Sequence, residues 1–159
     1  MAAYERDRQG VSAETVCKGL CDLDIYNSFE KGEDVGDIHV VRMVLQRLGI
    51  SASLAGRYLC RDEYDEIYAR FNILELLRAG RLESAKKAIE EYENRYCVRG
   101  NRLNMQFMTY MNARIAQLDG DTVEALCMYK KAIGYTIEDY GVAEFTCISI
   151  YEYFMLANI

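Results

Sequence analysis

The chain has no proline among its 159 residues, where average usage of about 5% would give roughly eight. The strongest helix breaker is therefore missing from end to end. There is a single histidine, and the six cysteines (17, 21, 60, 97, 127 and 147) form no Cys-x-x-Cys pair. A metal site would lack its usual ligand spacing, so no metal or other cofactor is expected. The cysteines read instead as reduced thiols packed as small hydrophobes. Glycines 10, 19, 32 and 36 are too scattered for a phosphate-binding loop. The most apolar stretch, Val142 to Ile159, carries Glu144 and Glu152, and is too short and too charged to predict a membrane span. The opening MAAYERDRQG has no hydrophobic run behind it, so no signal peptide is expected and the reading is a cytoplasmic chain. No segment rich in Ser, Pro or Gln suggests a long linker.

What remains is apolar and acidic. Half the residues are hydrophobic, enough for a true core, and the net charge is -6. The acidic excess is spread along the chain rather than gathered in a tail. Such a surface is repelled by bulk phosphate and does not suggest a protein that coats nucleic acid or anionic membrane.

The apolar residues recur every three to four positions, which with the missing proline predicts an all-α fold. Two segments repeat one another: LLRAGRLESAKKAIEEY from Leu76 and AQLDGDTVEALCMYKKA from Ala116. Gly80, Leu82, Ala85, Ile89 and Tyr92 in the first match Gly120, Thr122, Ala125, Tyr129 and Ala132 in the second. A glycine just past a helix end takes the left-handed conformation that reverses the chain, and a small Ala early in the next helix allows close approach. The pattern predicts helical hairpins over about 62–96 and 102–134. Stacked hairpins make extended binding surfaces rather than reaction chambers.

Residues 1–50 read as a separate module of short helices. Ser12 caps the first, Asp22 or Asp24 the second, and Asp37 the third, from Ile38 to Leu48. Residues 61–159 form the second domain. Its long first helix carries Tyr64, Ile67, Tyr68, Phe71, Leu74 and Leu77 as an expected buried stripe. The last helix, about 138–157, has no partner in the sequence. Its Phe145, Ile148, Tyr151, Phe154 and Met155 ask for cover from a second copy, making a homodimer, or from chain beyond Ile159.

The Gly-centred hairpins resemble degenerate tetratricopeptide (TPR) repeats, with 40 residues from Gly80 to Gly120 against a usual period of about 34. GVSAETVCKGLCDLDIYNSFEKGE resembles an Xre-like helix-turn-helix. Val11-Ser12 matches the opening of the second helix, Leu20-Cys21 the turn, and Phe29-Glu30-Lys31-Gly32 the end of the recognition helix. This order of modules resembles bacterial cytoplasmic regulators, including peptide-pheromone receptors. The resemblance implies a helix-turn-helix followed by a short right-handed TPR-like solenoid, acting as a transcriptional regulator that senses a peptide or protein. It also implies that double-stranded DNA meets Ser12, Ala13, Asp22, Asp24, Asn27 and Ser28. The sequence departs from the pattern there. Ala13 stands where Gln is usual, and Asp22 and Asp24 set carboxylates against phosphates. The alternative is therefore a protein-interaction scaffold in which this module only folds.

Asn72 and Asn112 each lie eight residues before a repeat glycine. By resemblance to peptide-binding TPR-like receptors, their two-way amides would hold a peptide backbone. Arg70 and Arg114 are nearly matched and could meet a carboxylate, or lie on a solvated face. The thirteen tyrosines are expected mainly to fill space between helices, the alternative being that some of those in the repeat region (64, 68, 92, 96, 110, 129 and 135) line a concave groove. His39 reads as a partly exposed helix residue rather than a base. With no second His beside any Ser or Cys, no catalytic residue is assigned and an enzyme is not expected.

Overall fold

The computed structural model describes residues 1–33, 36–51, 61–97, 100–140 and 147–159. Among them the fold is all-helical, with no strand. The helices are α1 (Ala2–Gln9), α2 (Ala13–Cys17), α3 (Leu23–Lys31), α4 (Ile38–Arg47), α5 (Arg61–Arg78), α6 (Leu82–Tyr96), α7 (Arg102–Leu118), α8 (Thr122–Ile133) and α9 (Ile150–Leu156). The chain divides into two compact units. One takes Met1–Arg57 and Thr136–Phe154, the other Tyr58–Tyr135 and Met155–Ile159.

The first unit folds around Val16, Tyr26, Val44, Leu45 and Leu48, all essentially sealed from solvent. Ser12 caps α2, its hydroxyl accepting from the Thr15 N–H at 3.2 Å. Asp22 occupies the α3 N-cap without a side-chain capping bond. Asp37 caps α4 by accepting from the His39 N–H at 2.8 Å. Arg6 of α1 donates two bonds to the Glu30 carboxylate, at 2.7 and 3.1 Å, and the Tyr26 hydroxyl donates to the same group at 2.8 Å. That fork holds the Glu30 carboxyl below its ordinary value: the Arg6 bond outweighs burial, and Tyr26 adds to it.

The grouping of 136–154 with the N-terminal residues departs from the expected domain of 61–159, and its cause is chemical. Arg47 and Glu152 form an ion pair at 2.5 Å with both side chains almost fully buried. The same guanidinium donates to the carbonyls of Val16 at 2.8 Å and Lys18 at 2.7 Å. The Cys147 thiol donates to the Arg47 carbonyl. The expected unpaired helix over 138–157 is corrected accordingly. Among the described residues of that range, 138–140 form a turn and the helix is Ile150–Leu156. Of the expected set Met155 is buried and Ile148 half-buried, alongside buried Ser149 and Glu152, whereas Tyr151 and Phe154 are exposed. Phe145 lies outside the described residues.

In the second unit α5 packs on α6, α6 on α7, and α7 on α8. Gly80 and Gly120 take φ values of +68° and +87° just past α5 and α7, the left-handed reversal that their spacing predicts. Ala85 and Ala125 are buried early in α6 and α8. Helix α7 is buried on nearly every side, so its polar residues need partners inside. Gln106 donates to the Ala132 carbonyl at 3.1 Å, and Asn104 to the Tyr96 carbonyl at 3.0 Å.

The expected buried stripe of α5 holds only in part. Leu77 is buried, beside Ile73, and Ile67 and Leu74 are half-buried, while Tyr64, Tyr68 and Phe71 are more than half exposed. The inward side is shared by Glu66 and Arg70, each half-buried. A polar pair takes an inward position here because α6 and α7 satisfy it. The Arg70 guanidinium donates to the Tyr92 hydroxyl at 2.8 Å and to Asn104 Oδ1 at 2.6 Å. It also lies 4.7 Å from the Phe107 ring centroid.

Candidate functional site

Rotating α5 so that Arg70 points inward presents another face outward. Asp65, Tyr68, Ala69 and Asn72 recur at helical spacing along α5, and Glu91, Tyr92, Arg95 and Tyr96 do so along α6. Together they line a cleft of about 310 Å³. Both walls belong to one hairpin. An ion pair from Arg95 to Asp65, at 3.1 Å, crosses between the helices. Tyr64 and Tyr68 stack at 6.2 Å with planes only 15° apart. Tyr68 thus stands as an exposed ring braced by its neighbour.

The floor is rigid. Tyr92 is buried, and its hydroxyl accepts from Arg70 and donates to Glu66 Oε1 at 3.0 Å. Its ring meets Tyr96 at 5.0 Å and Phe107 at 5.3 Å. The Tyr96 hydroxyl oxygen is buried without a hydrogen-bond partner among the described residues. Burial raises its pKa. Arg95 opposes that rise, while the carboxylates of Asp65, Glu66 and Asp62 reinforce it. Ring faces, an exposed amide, carboxylates and one guanidinium suit recognition. Cys97, next in sequence to Tyr96, is a buried thiol whose pKa burial pushes up to about 11, unlike a poised nucleophile.

The sequence-derived binding residues separate on this frame. Asn72 is exposed in the cleft. Arg70 is an internal staple, and neither peptide binding nor a solvated face describes it. Asn112 is half-buried on α7, between buried Met111 and Ala113. Arg114, also half-buried, has its Nε shielded from solvent with no partner among the described residues. The matched offsets therefore yield one cleft residue of four. Tyr68, Tyr92 and Tyr96 belong to the repeat-region tyrosines that could line a groove, whereas Arg95 carried no such expectation. For Tyr68 the supporting signal is the surplus of apolar and aromatic positions on α5, more than one face can bury.

The other set lies in the first unit. Ser12, Asp22 and Asp24 are exposed, and Ala13, Asn27 and Ser28 are half-buried. Along the outer start of α3, Asp22, Leu23, Asp24 and Ile25 are consecutively exposed, and Glu14 is exposed in the first turn of α2. Lys18 and Lys31 are the exposed cations of this stretch, whereas Arg6 is held by Glu30 and Asp7. His39 is buried rather than partly exposed, because α4 is covered on most of its faces.

Among the described residues no group of His, Cys, Asp and Glu could hold a metal ion, and no helix is long and apolar enough to cross a membrane. Comparison with protein-family models, curated proteins and solved structures found no match to this chain.

Proposed function

We propose that this chain is a protein-interaction module. Helices α5–α8 act as a short TPR-like repeat pair, and the cleft between α5 and α6 holds a peptide segment of a partner protein. The observation that carries this reading is the cleft itself, where exposed Tyr68 and Asn72 stand beside Arg95 and Tyr96 over the buried Tyr92 floor. A peptide fits these groups because its backbone offers the amide and carbonyl that Asn72 pairs with, and its side chains offer surface to the rings.

Selection of displayed random peptides against the full chain tests it. Selected peptides are expected to lose about tenfold in affinity on Tyr68→Ala or Asn72→Ala, with the urea midpoint unchanged because both side chains are exposed. A library that yields no binder, or binders indifferent to both variants, removes the reading.

Transcriptional regulation is the second reading, favoured by the order α2, turn, α3 with Ser12 capping α2. The exposed Glu14, Asp22 and Asp24 weigh against it, since affinity for a duplex rests on neutralised phosphates. In fluorescence anisotropy with pooled duplexes, no binding is expected at physiological salt. Binding there that weakens steeply as salt rises would restore the regulator.

A further inference from the structure

We infer that the α5–α6 cleft recognises a basic side chain, a lysine or arginine of the partner peptide seated against Tyr68 and Tyr96 with its charge facing Asp65 and Glu91. This rests on the reading of the cleft as a peptide site and names the chemistry of its ligand.

The argument starts from charge. Two carboxylates line the cleft against one guanidinium. Asp65 already spends part of its field on Arg95, but that cation is itself mostly in solvent, with a side chain 59% exposed. Such a pair is weak and exchangeable. Glu91 is exposed.

The rings point the same way. A tyrosine face carries negative charge density and attracts a cation within about 6 Å of its centroid. The cleft already contains one such contact, Arg95 over the Tyr96 ring at 5.1 Å. Tyr68, 61% exposed, offers a comparable ring, stacked with Tyr64 and with no guanidinium over it among the described residues. An incoming lysine or arginine would lay its apolar stem along that ring and place its head near Asp65 and Glu91. Asn72 would pair with the peptide backbone.

Other ligands fit less well. An acidic segment would face Asp65 and Glu91 with only Arg95 in its favour. A purely apolar segment would cover the exposed Asn72 amide and the Glu91 carboxylate without pairing them, and buried polar groups left unpaired penalise binding.

The test is a titration of the 15N-labelled full chain, followed by NMR, with three Gly/Ser-flanked peptides alike except at the centre: Lys-Arg, norleucine-citrulline and Glu-Glu. The Lys-Arg peptide should shift the amides of Tyr68, Asn72 and Arg95. It should bind about tenfold or more tightly than its neutral counterpart, and less tightly as salt rises. Tyr68→Ala and Glu91→Gln should each weaken it about fivefold, with the spectrum otherwise intact. Equal binding of the neutral peptide, or tighter binding of the Glu-Glu peptide, overturns the basic preference and leaves the peptide cleft standing. Failure of all three to shift those amides overturns both.

Discussion

Glu152→Gln is expected to lower the stability of the chain by about 3 kcal/mol or more, the usual consequence of removing one partner from a buried ion pair. The substitution keeps the size of the side chain and deletes its charge. The Arg47 side chain is 2% exposed, so an uncompensated guanidinium remains inside. The loss is not confined to one bond. Glu152 accepts from Arg47 Nε at 3.2 Å and from the Ser149 N–H at 2.7 Å, and a Thr136 side-chain bond also supports its charged form. Arg47→Met should cost a similar amount, because it frees the Val16 and Lys18 carbonyls as well as Glu152. Pairing Arg47→Met with Glu152→Leu should recover part of the loss, since no buried charge is then left alone, but not the part owed to the two carbonyls. A double-variant cycle by urea denaturation reads the coupling. Additive losses would mean that the pair is not the link described.

The same group sets a pH dependence. Burial pushes the Glu152 carboxyl up, but the hydrogen bond and charge of Arg47, aided by Ser149 and Thr136, hold it below its ordinary value of 4.5. A carboxyl lowered in the folded state stabilises fully above its unfolded pKa. That contribution is lost as pH falls through the folded value. Glu30 shifts the same way beside Arg6. The urea midpoint should therefore hold from neutrality to about pH 5 and fall below it. Glu152→Gln should flatten that fall, and an unchanged slope would contradict the assignment.

These charges mark where the sequence stops being legible. The hairpin helices could be read from it because their signals are local: glycine just past a helix end, a small Ala near the next start, caps at Ser12 and Asp37. Arg47 and Glu152 are 105 positions apart. A charged residue on a helix reads as solvated unless its distant partner is known, and nothing local pairs these two. The α5 stripe held only in part for a related reason. Periodicity ranks faces by hydrophobicity, but Arg70 is taken inward by acceptors on α6 and α7 that its own helix cannot reveal. The ring-rich face was then left outside. The cleft was legible at Asn72 and, as one alternative, at its tyrosines, but the meeting of Asp65 with Arg95 that sets its walls exists only once α5 and α6 are packed.

The turn between α2 and α3 carries the second large effect. Gly19→Ala is expected to destabilise by about 3 kcal/mol, against about 1 kcal/mol for Gly10→Ala. Both glycines have left-handed backbones, φ +74° at Gly19 and +66° at Gly10, so the conformational penalty is common to the two. The surroundings differ. A Cβ at Gly10 would meet open space, whereas one at Gly19 would sit far inside van der Waals contact of the Thr136 carbonyl oxygen. Main-chain atoms cannot swing aside as a side-chain tip can, so the turn or the 136 segment must shift. Either movement disturbs the ion pair. Arg47 donates to the Lys18 carbonyl, one residue before Gly19, and Thr136 is a hydrogen-bond partner of Glu152. Combining Gly19→Ala with Glu152→Gln should therefore destabilise by less than the two separate losses together, because each partly undoes what the other depends on. Equal midpoints for the Gly10 and Gly19 variants would mean that Thr136 does not press on this turn.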